Sequence, residues 1–241
     1  MRGIMKNLLL VKYFSVVYVM LFSILVNAEQ FVGYAYDIES KELVYTEHHQ
    51  YKNEAIHHVI YKEINGETFA KKVIDYQQGF TSPAIEQTNT RNGEHIKVVK
   101  KDNELLVEYK ENTNEQVESK TLELKPSLVI DAGFDHFINQ HWDTLISGSP
   151  LVVDYLVPSS LAAYQLSIQQ YDCDNSEYYC FAISASNFFI SLFTDQLELS
   201  YDKALRKLMS FQGRSNICDE NGEYQDVFIS YDYVSAKEAS L

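Results

Sequence analysis

Residues 45 to 61 read YTEHHQYKNEAIHHVIY and place two His-His pairs nine residues apart. Imidazoles bind Zn²⁺ or Cu²⁺ and titrate near neutral pH, so this stretch is where metal or acid-base chemistry would first be sought. A hairpin centred on Asn53 sets His48 opposite His58 and His49 opposite His57. Directly opposed residues have Cβ atoms about 5 Å apart, within reach of one shared ion. Strand side chains alternate between faces, so the two couples point to opposite sides of the sheet. The four histidines therefore cannot make one tetrahedral site. A closed site would need further ligands, and Glu47 and Glu54 are the nearest in sequence. The stretch reads as an exposed polar hairpin, and no metal is expected.

Other reactive groupings are sparse. His136 and His141 are five apart, not the i, i+4 pair of an HExxH zinc helix. His141 falls near the apolar side of a predicted helix and reads as an interior histidine, while His136 beside Asp135 reads as solvent-facing. No G-x-S-x-G elbow occurs, and Gly213-Arg214-Ser215 lacks the second glycine. Glycine-rich phosphate loops are absent. No catalytic residue and no cofactor is assigned, so a hydrolase is the weaker alternative.

The stretch YDCDNSEYYCF carries Cys173 and Cys180 on either side of a polar turn. A hairpin centred between Ser176 and Glu177 would bring them opposite each other, at a Cα separation suited to a disulfide. Cys218, in a polar turn, is then left free. Pairing of Cys218 with either one, or three reduced thiols, are the alternatives.

Disulfides belong to oxidising compartments, and the N-terminus agrees. Arg2, Lys6 and Lys12 precede an uncharged, mostly apolar run from Tyr13 to Val26, and Val26-Asn27-Ala28 supplies small residues for cleavage. This is the layout of a secretory signal peptide over 1–28. A spanning helix wants about 20 apolar residues, more than this run has. Export to the periplasm is expected. Secretion, or anchoring by an uncleaved segment, is the alternative.

The chain holds 20 basic and 34 acidic residues. Without 1–28 it has 17 basic against the same 34. Such a surface repels phosphate backbones, which excludes nucleic acid as a partner, and membrane contact is expected only through the signal segment.

Positioning falls to strands. There are 18 tyrosines and 13 phenylalanines, with few prolines and glycines. Asn65-Gly66, Asn92-Gly93 and Asn221-Gly222 read as type I′ hairpin turns. Val227, Ile229, Tyr231 and Tyr233 alternate with polar residues, as do Leu197, Leu199 and Tyr201, and Tyr164, Leu166 and Ile168. Lys100 to Lys120 alternates around Leu105, Val107 and Tyr109. One helix is predicted in DAGFDHFINQHWDTLISGSP, with Asp131 as N-cap, Trp142 on the apolar face and Gly148 as terminator. A second helical turn, or a buried strand, is predicted in SASNFFISLF. Tyr36-Asp37…Leu43 and Tyr201-Asp202…Leu208 echo each other as strand, turn and strand.

Three stretches resemble a family of uncharacterised exported proteobacterial proteins. They are GYAYDIESKELVYTEHH, DAGFDHFINQHWD and LELSYDKALRKLMSFQGRSNICDENGEYQDVFISY. The resemblance implies a Gram-negative periplasmic setting and no particular activity. The inferred architecture is also similar to the lipoprotein carriers of the LolA and LolB kind. The expectation is a single β-rich domain over 29–241 of α+β class. Its antiparallel curved sheet would be half-barrel or clam-like and would pack one amphipathic helix. A hydrophobic or lipid-like small molecule in the concave face is the expected ligand, and the aromatics of FFISLF (Phe188 to Phe193) would join it. An envelope assembly or interaction protein is the alternative.

Overall fold

The computed structural model describes residues 30–185 and 196–233. The expected signal segment over 1–28 and the FFISLF stretch lie outside the described residues.

Among the described residues fifteen strands follow one another. The first eight are β1 (Gln30–Asp37), β2 (Leu43–Tyr51), β3 (Ile56–Lys62), β4 (Thr68–Asp75), β5 (Ala84–Asn89), β6 (His95–Lys101), β7 (Glu104–Lys110) and β8 (Glu118–Glu123). After β9 (Leu128–Val129) come two helices, α1 (Gly133–Gln140) and α2 (Trp142–Ile146). The rest are β10 (Leu151–Val157), β11 (Ala162–Tyr171), β12 (Tyr178–Ala185), β13 (Leu197–Asp202), β14 (Leu208–Cys218) and β15 (Tyr224–Asp232).

All belong to one curved, open sheet ordered β8 through β1, then β15 back through β9. The first and last long strands meet in the middle: β1 pairs β15 antiparallel, with Ala35 opposite Ile229. Among the described residues only β9 with β10 is parallel. This is more sheet than an α+β fold with one helix, because nearly every segment alternates with period two and turns tightly into its neighbour.

The curvature brings distant strands face to face. Gln87 of β5 donates to the Asn216 carbonyl (3.1 Å), and Asn89 donates to the Cys218 carbonyl (2.8 Å). Inward side chains fill the space in two cores. One gathers Tyr45, Tyr61, Val98, Val107 and Ile130. The other gathers Ile138, Trp142, Leu145, Phe181 and Tyr201. Trp142 meets the rings of Tyr179, Phe181 and Tyr201 edge to face, as the helix reading requires.

The helix itself departs from expectation. It breaks at His141, so that Trp142 begins a second short helix, α2. Asp131 is not the N-cap. Its backbone is left-handed (φ 45°) and its carboxylate is taken by Lys72, so Ala132 holds the cap position without a side-chain bond. Gly148 does end the helical segment, at φ 83°. Gly133 lets α1 approach the β4–β5 connection. A Cβ there would lie 2.1 Å from the Thr81 carbonyl oxygen, which is backbone and cannot step aside. Helix propensity alone would favour Gly133→Ala by about 1 kcal/mol. The clash decides otherwise, and Gly133→Ala is expected to lose about 1–3 kcal/mol of unfolding free energy in a urea titration.

The Asn-Gly turns are not type I′. Only Gly66, Gly93 and Gly222 have positive φ, while the asparagines do not. Gly66 N–H bonds the Glu63 carbonyl, and Glu63 N–H bonds that of Glu67. This is a longer loop with glycine alone in the left-handed position. The asparagine serves through its side chain, since Asn65 Oδ1 accepts from Glu67 N–H (2.9 Å).

The echoed turns do share a geometry. Asp37 Oδ1 accepts from the backbone of Glu39 and Ser40, and Asp202 Oδ1 from that of Ala204 and Leu205. Lys41 and Arg206 then take positive φ at matching places. Each turn follows the last residue of a strand, β1 or β13, and the likeness is that of a turn type.

The Cys173–Cys180 disulfide is present, with Cα atoms 5.5 Å apart. The register differs from the predicted one. Tyr171 lies opposite Cys180, so Cys173 sits beyond the end of β11 and reaches back across the turn. The short loop predicts a modest contribution of about 2 kcal/mol. Mass spectrometry of the unreduced digest should show this linkage alone, and Cys173→Ser with Cys180→Ser should lower the urea midpoint by that modest amount.

Candidate functional site

The β2–β3 hairpin builds a polar part of the inner face. Alternation turns Tyr45, Glu47, His49 and Tyr51 of β2 inward, with His57, Val59 and Tyr61 of β3. The register is displaced from the predicted one. Tyr51 opposes His57, His49 opposes Val59 and Gln50 opposes His58. Asn53 Oδ1 caps the turn by accepting from Ala55 and Ile56 N–H, which adds the residue that moves the centre. The two couples still fall on opposite faces, but as diagonal and not direct neighbours.

The inner couple is joined. His49 Nδ1 and His57 Nε2 are 3.1 Å apart, and His49 Nε2 lies 3.2 Å from Glu47 Oε2. The carboxylate fixes the tautomers. His49 donates from Nε2 to Glu47 and accepts at Nδ1 from His57 Nε2–H. Tyr231 Oη also donates to Glu47 (3.4 Å). His57 Nδ1 is buried without a hydrogen-bond partner. Burial, then the nearby His49 and Lys72, push the His57 pKa down to about 2. A neutral, enclosed imidazole is a poor general base at neutral pH. Among the described residues no group of three or more His, Cys, Asp or Glu side chains is placed to hold a metal ion.

A second polar network lies across the fold. Tyr224 Oη donates to Glu94, whose other carboxyl oxygen is buried without a hydrogen-bond partner. Cys218 is buried at the end of β14, not in a turn, and its sulfur accepts from Asn89 (3.3 Å) and Asn92 (3.2 Å). Burial foremost, with Glu94 next, pushes its pKa up to about 12, so the thiol stays protonated and unreactive. Burial also raises the Glu94 carboxyl above its usual range. Lys72, only 2% exposed, pairs with Asp131, which also accepts from Asn216 (3.4 Å).

No protein family, curated protein or solved structure matches this chain.

Two shallow depressions, of about 520 and 350 Å³, are lined by acidic and amide residues such as Asp37, Asp219, Asn92 and Asn221. Neither is apolar. On the outer face Thr46 Oγ1 meets His48 Nε2 at 3.1 Å, a hydroxyl beside a base. No acid is bonded to that pair.

Aromatic rings gather at the rim where β1 starts and β2 and β4 end. Phe31 stacks on His49 (4.1 Å) and Tyr233 (4.7 Å), and Tyr51 stacks on His57 (4.1 Å). Tyr51 is hydrogen-bonded to Tyr76. Tyr76 in turn meets Phe80 and His136 at 5.9 and 4.8 Å. Phe80 is 55% exposed. His136, expected in solvent, is half-buried between Tyr76 and Phe80, and burial lowers its pKa. His141, expected in the interior, is only partly buried, with its ring 4.5 Å from that of Phe137.

Proposed function

We propose that this chain is an exported, non-enzymatic binding protein of the periplasm, taking a hydrophobic or lipid-like ligand at the aromatic rim of its concave face. The observation that carries the reading is the continuous ring array from Phe31 through Tyr51 and Tyr76 to Phe80, ending in a phenylalanine 55% exposed. Large rings offer much contact area with little conformational entropy to lose, and a phenylalanine at a rim serves a partner better than it serves the fold. The inner space of the sheet is already occupied by its own side chains, so the rim is the part of the concave face left to a ligand. The export signal over 1–28 and the resemblance to exported proteobacterial proteins belong to the same proposal.

The test is native mass spectrometry of protein purified from its host periplasm. A lipid-sized adduct, lost in Phe80→Asp, is expected. Bare protein from both wild type and variant would remove the reading. In that outcome the envelope-interaction alternative gains. It draws on β8, the terminal strand of the sheet, whose residues are mostly exposed beside an exposed Val117.

A further inference from the structure

The Glu47–His49–His57 chain stands directly behind the aromatic rim. Tyr51 and Phe31, two rings of the rim, lie against His57 itself, at 4.1 and 6.2 Å between centroids. His57 is 3% exposed, and one of its ring nitrogens meets no hydrogen-bond partner. The groups that face it come from every element packed on it. From β2 come Glu47, His49 and Tyr51, and β4 supplies the buried Lys72. Asp131 pairs with that lysine, His136 adds its charge from α1, and β15 contributes Tyr231. From β1 comes only the apolar ring of Phe31. The His58 charge acts from the same strand.

A proton added to His57 would sit on Nδ1, which meets no acceptor. Its Nε2 already faces His49. A cation there would lie in an enclosed space with a lysine and with no carboxylate bonded to it directly, because Glu47 is bonded to His49 and Asp131 to Lys72. The closed hairpin therefore holds His57 neutral. Any state in which the β2–β3 end lifts away lets the imidazole reach water and take a proton.

We propose that acid opens the aromatic rim: protonation of His57 in a locally lifted β2–β3 hairpin traps that hairpin open and releases what the rim holds. The release rests on the rim being the ligand site, whereas the opening does not. Each pH unit below the ordinary histidine range multiplies the open population roughly ten-fold. From pH 6.5 to 4.5 the change is roughly hundred-fold. Among the described residues the second core, around Trp142 and Phe181, carries no such histidine, and it should stay closed over the same range.

Hydrogen exchange of the purified protein tests this, with rates corrected for the intrinsic effect of pH. Amides at the Tyr51–His57 end should lose protection by about two orders of magnitude between pH 6.5 and 4.5. Those of β12 and β13 should not, and His57→Gln should remove most of the loss. Uniform loss over the whole sheet would overturn the proposal, as would constant protection in the hairpin. Should His57→Gln fail to fold, ring ¹⁵N shifts of wild-type His57 decide. A neutral imidazole in the folded signal at pH 5 supports the proposal, and a protonated one sinks it. A fluorescent fatty acid adds the ligand arm. Failure to bind at pH 7 removes the rim as a ligand site while leaving the exchange result standing. Binding at pH 7 with equal retention at pH 4.5 overturns the release.

Discussion

Asp131→Asn is expected to destabilise the protein by about 3–5 kcal/mol, because it strands a buried lysine. Lys72 is almost wholly enclosed, and Asp131 is the carboxylate that pairs with it. The pair joins β4 to the segment that starts α1, and Asn216 ties the same carboxylate to β14. Asparagine tolerates the left-handed backbone at 131, so the charge is what the substitution removes. Lys72→Met added to Asp131→Asn should recover most of the loss, since both charges then leave together. Urea midpoints of the two single variants and the double variant check this. A single variant costing under about 1 kcal/mol would show that water reaches the lysine.

Acidification should act through His57 with comparable size. The folded pKa is lowered to about 2 from the ordinary 6.5, by burial first. Between those values the unfolded chain binds one more proton than the folded one. This stability is complete above about pH 6.5 and is lost as pH falls toward the folded value. Each unit is worth about 1.4 kcal/mol, so roughly 3 kcal/mol is gone by pH 4.5. His57→Gln keeps a donor near Nε2 and removes the titration. It should give a flatter stability–pH curve than wild type over pH 6.5 to 4.5, though a lower one at neutrality. Parallel curves would contradict the assignment. Glu94 works in the opposite sense. Its raised carboxyl contributes stability at low pH that is lost as pH rises through its folded value, so Glu94→Gln should gain, relative to wild type, on the alkaline side.

Much of the architecture was legible because its determinants are local. Period-two alternation placed Val227 and Ile229, Leu105 and Val107, and Leu199 and Tyr201 on buried faces, and they are buried. The helix around Trp142 and its stop at Gly148 followed from spacing and one glycine. What failed were details set by side-chain bonds. Asn53 caps its own turn and shifts the hairpin register. Asp131 has a better partner than a helix N-terminus. Asn65 and Asn92 use their carbonyl oxygens instead of a left-handed backbone, and in the third turn Asp219 plays that part.

The inner networks were out of reach for another reason. Lys72 and Asp131 are 59 residues apart, Gln87 and Asn216 are 129, and Glu94 and Tyr224 are 130. No periodicity links such partners. They meet because the sheet curls until β5 faces β14, and sequence spacing carries no measure of that curvature. Glu47 with His49 is the exception. An i, i+2 pair on one strand shares a face, so their contact could have been read once the strand was recognised.

The central claim is that the aromatic rim takes a hydrophobic ligand. Titration of an environment-sensitive fluorescent fatty acid into the purified protein at pH 7 tests it most directly, with Phe80→Asp beside wild type. Saturable uptake of one probe per chain, abolished by Phe80→Asp while the folded spectrum is kept, is the predicted result. No uptake by wild type, or equal uptake by both proteins, would contradict it.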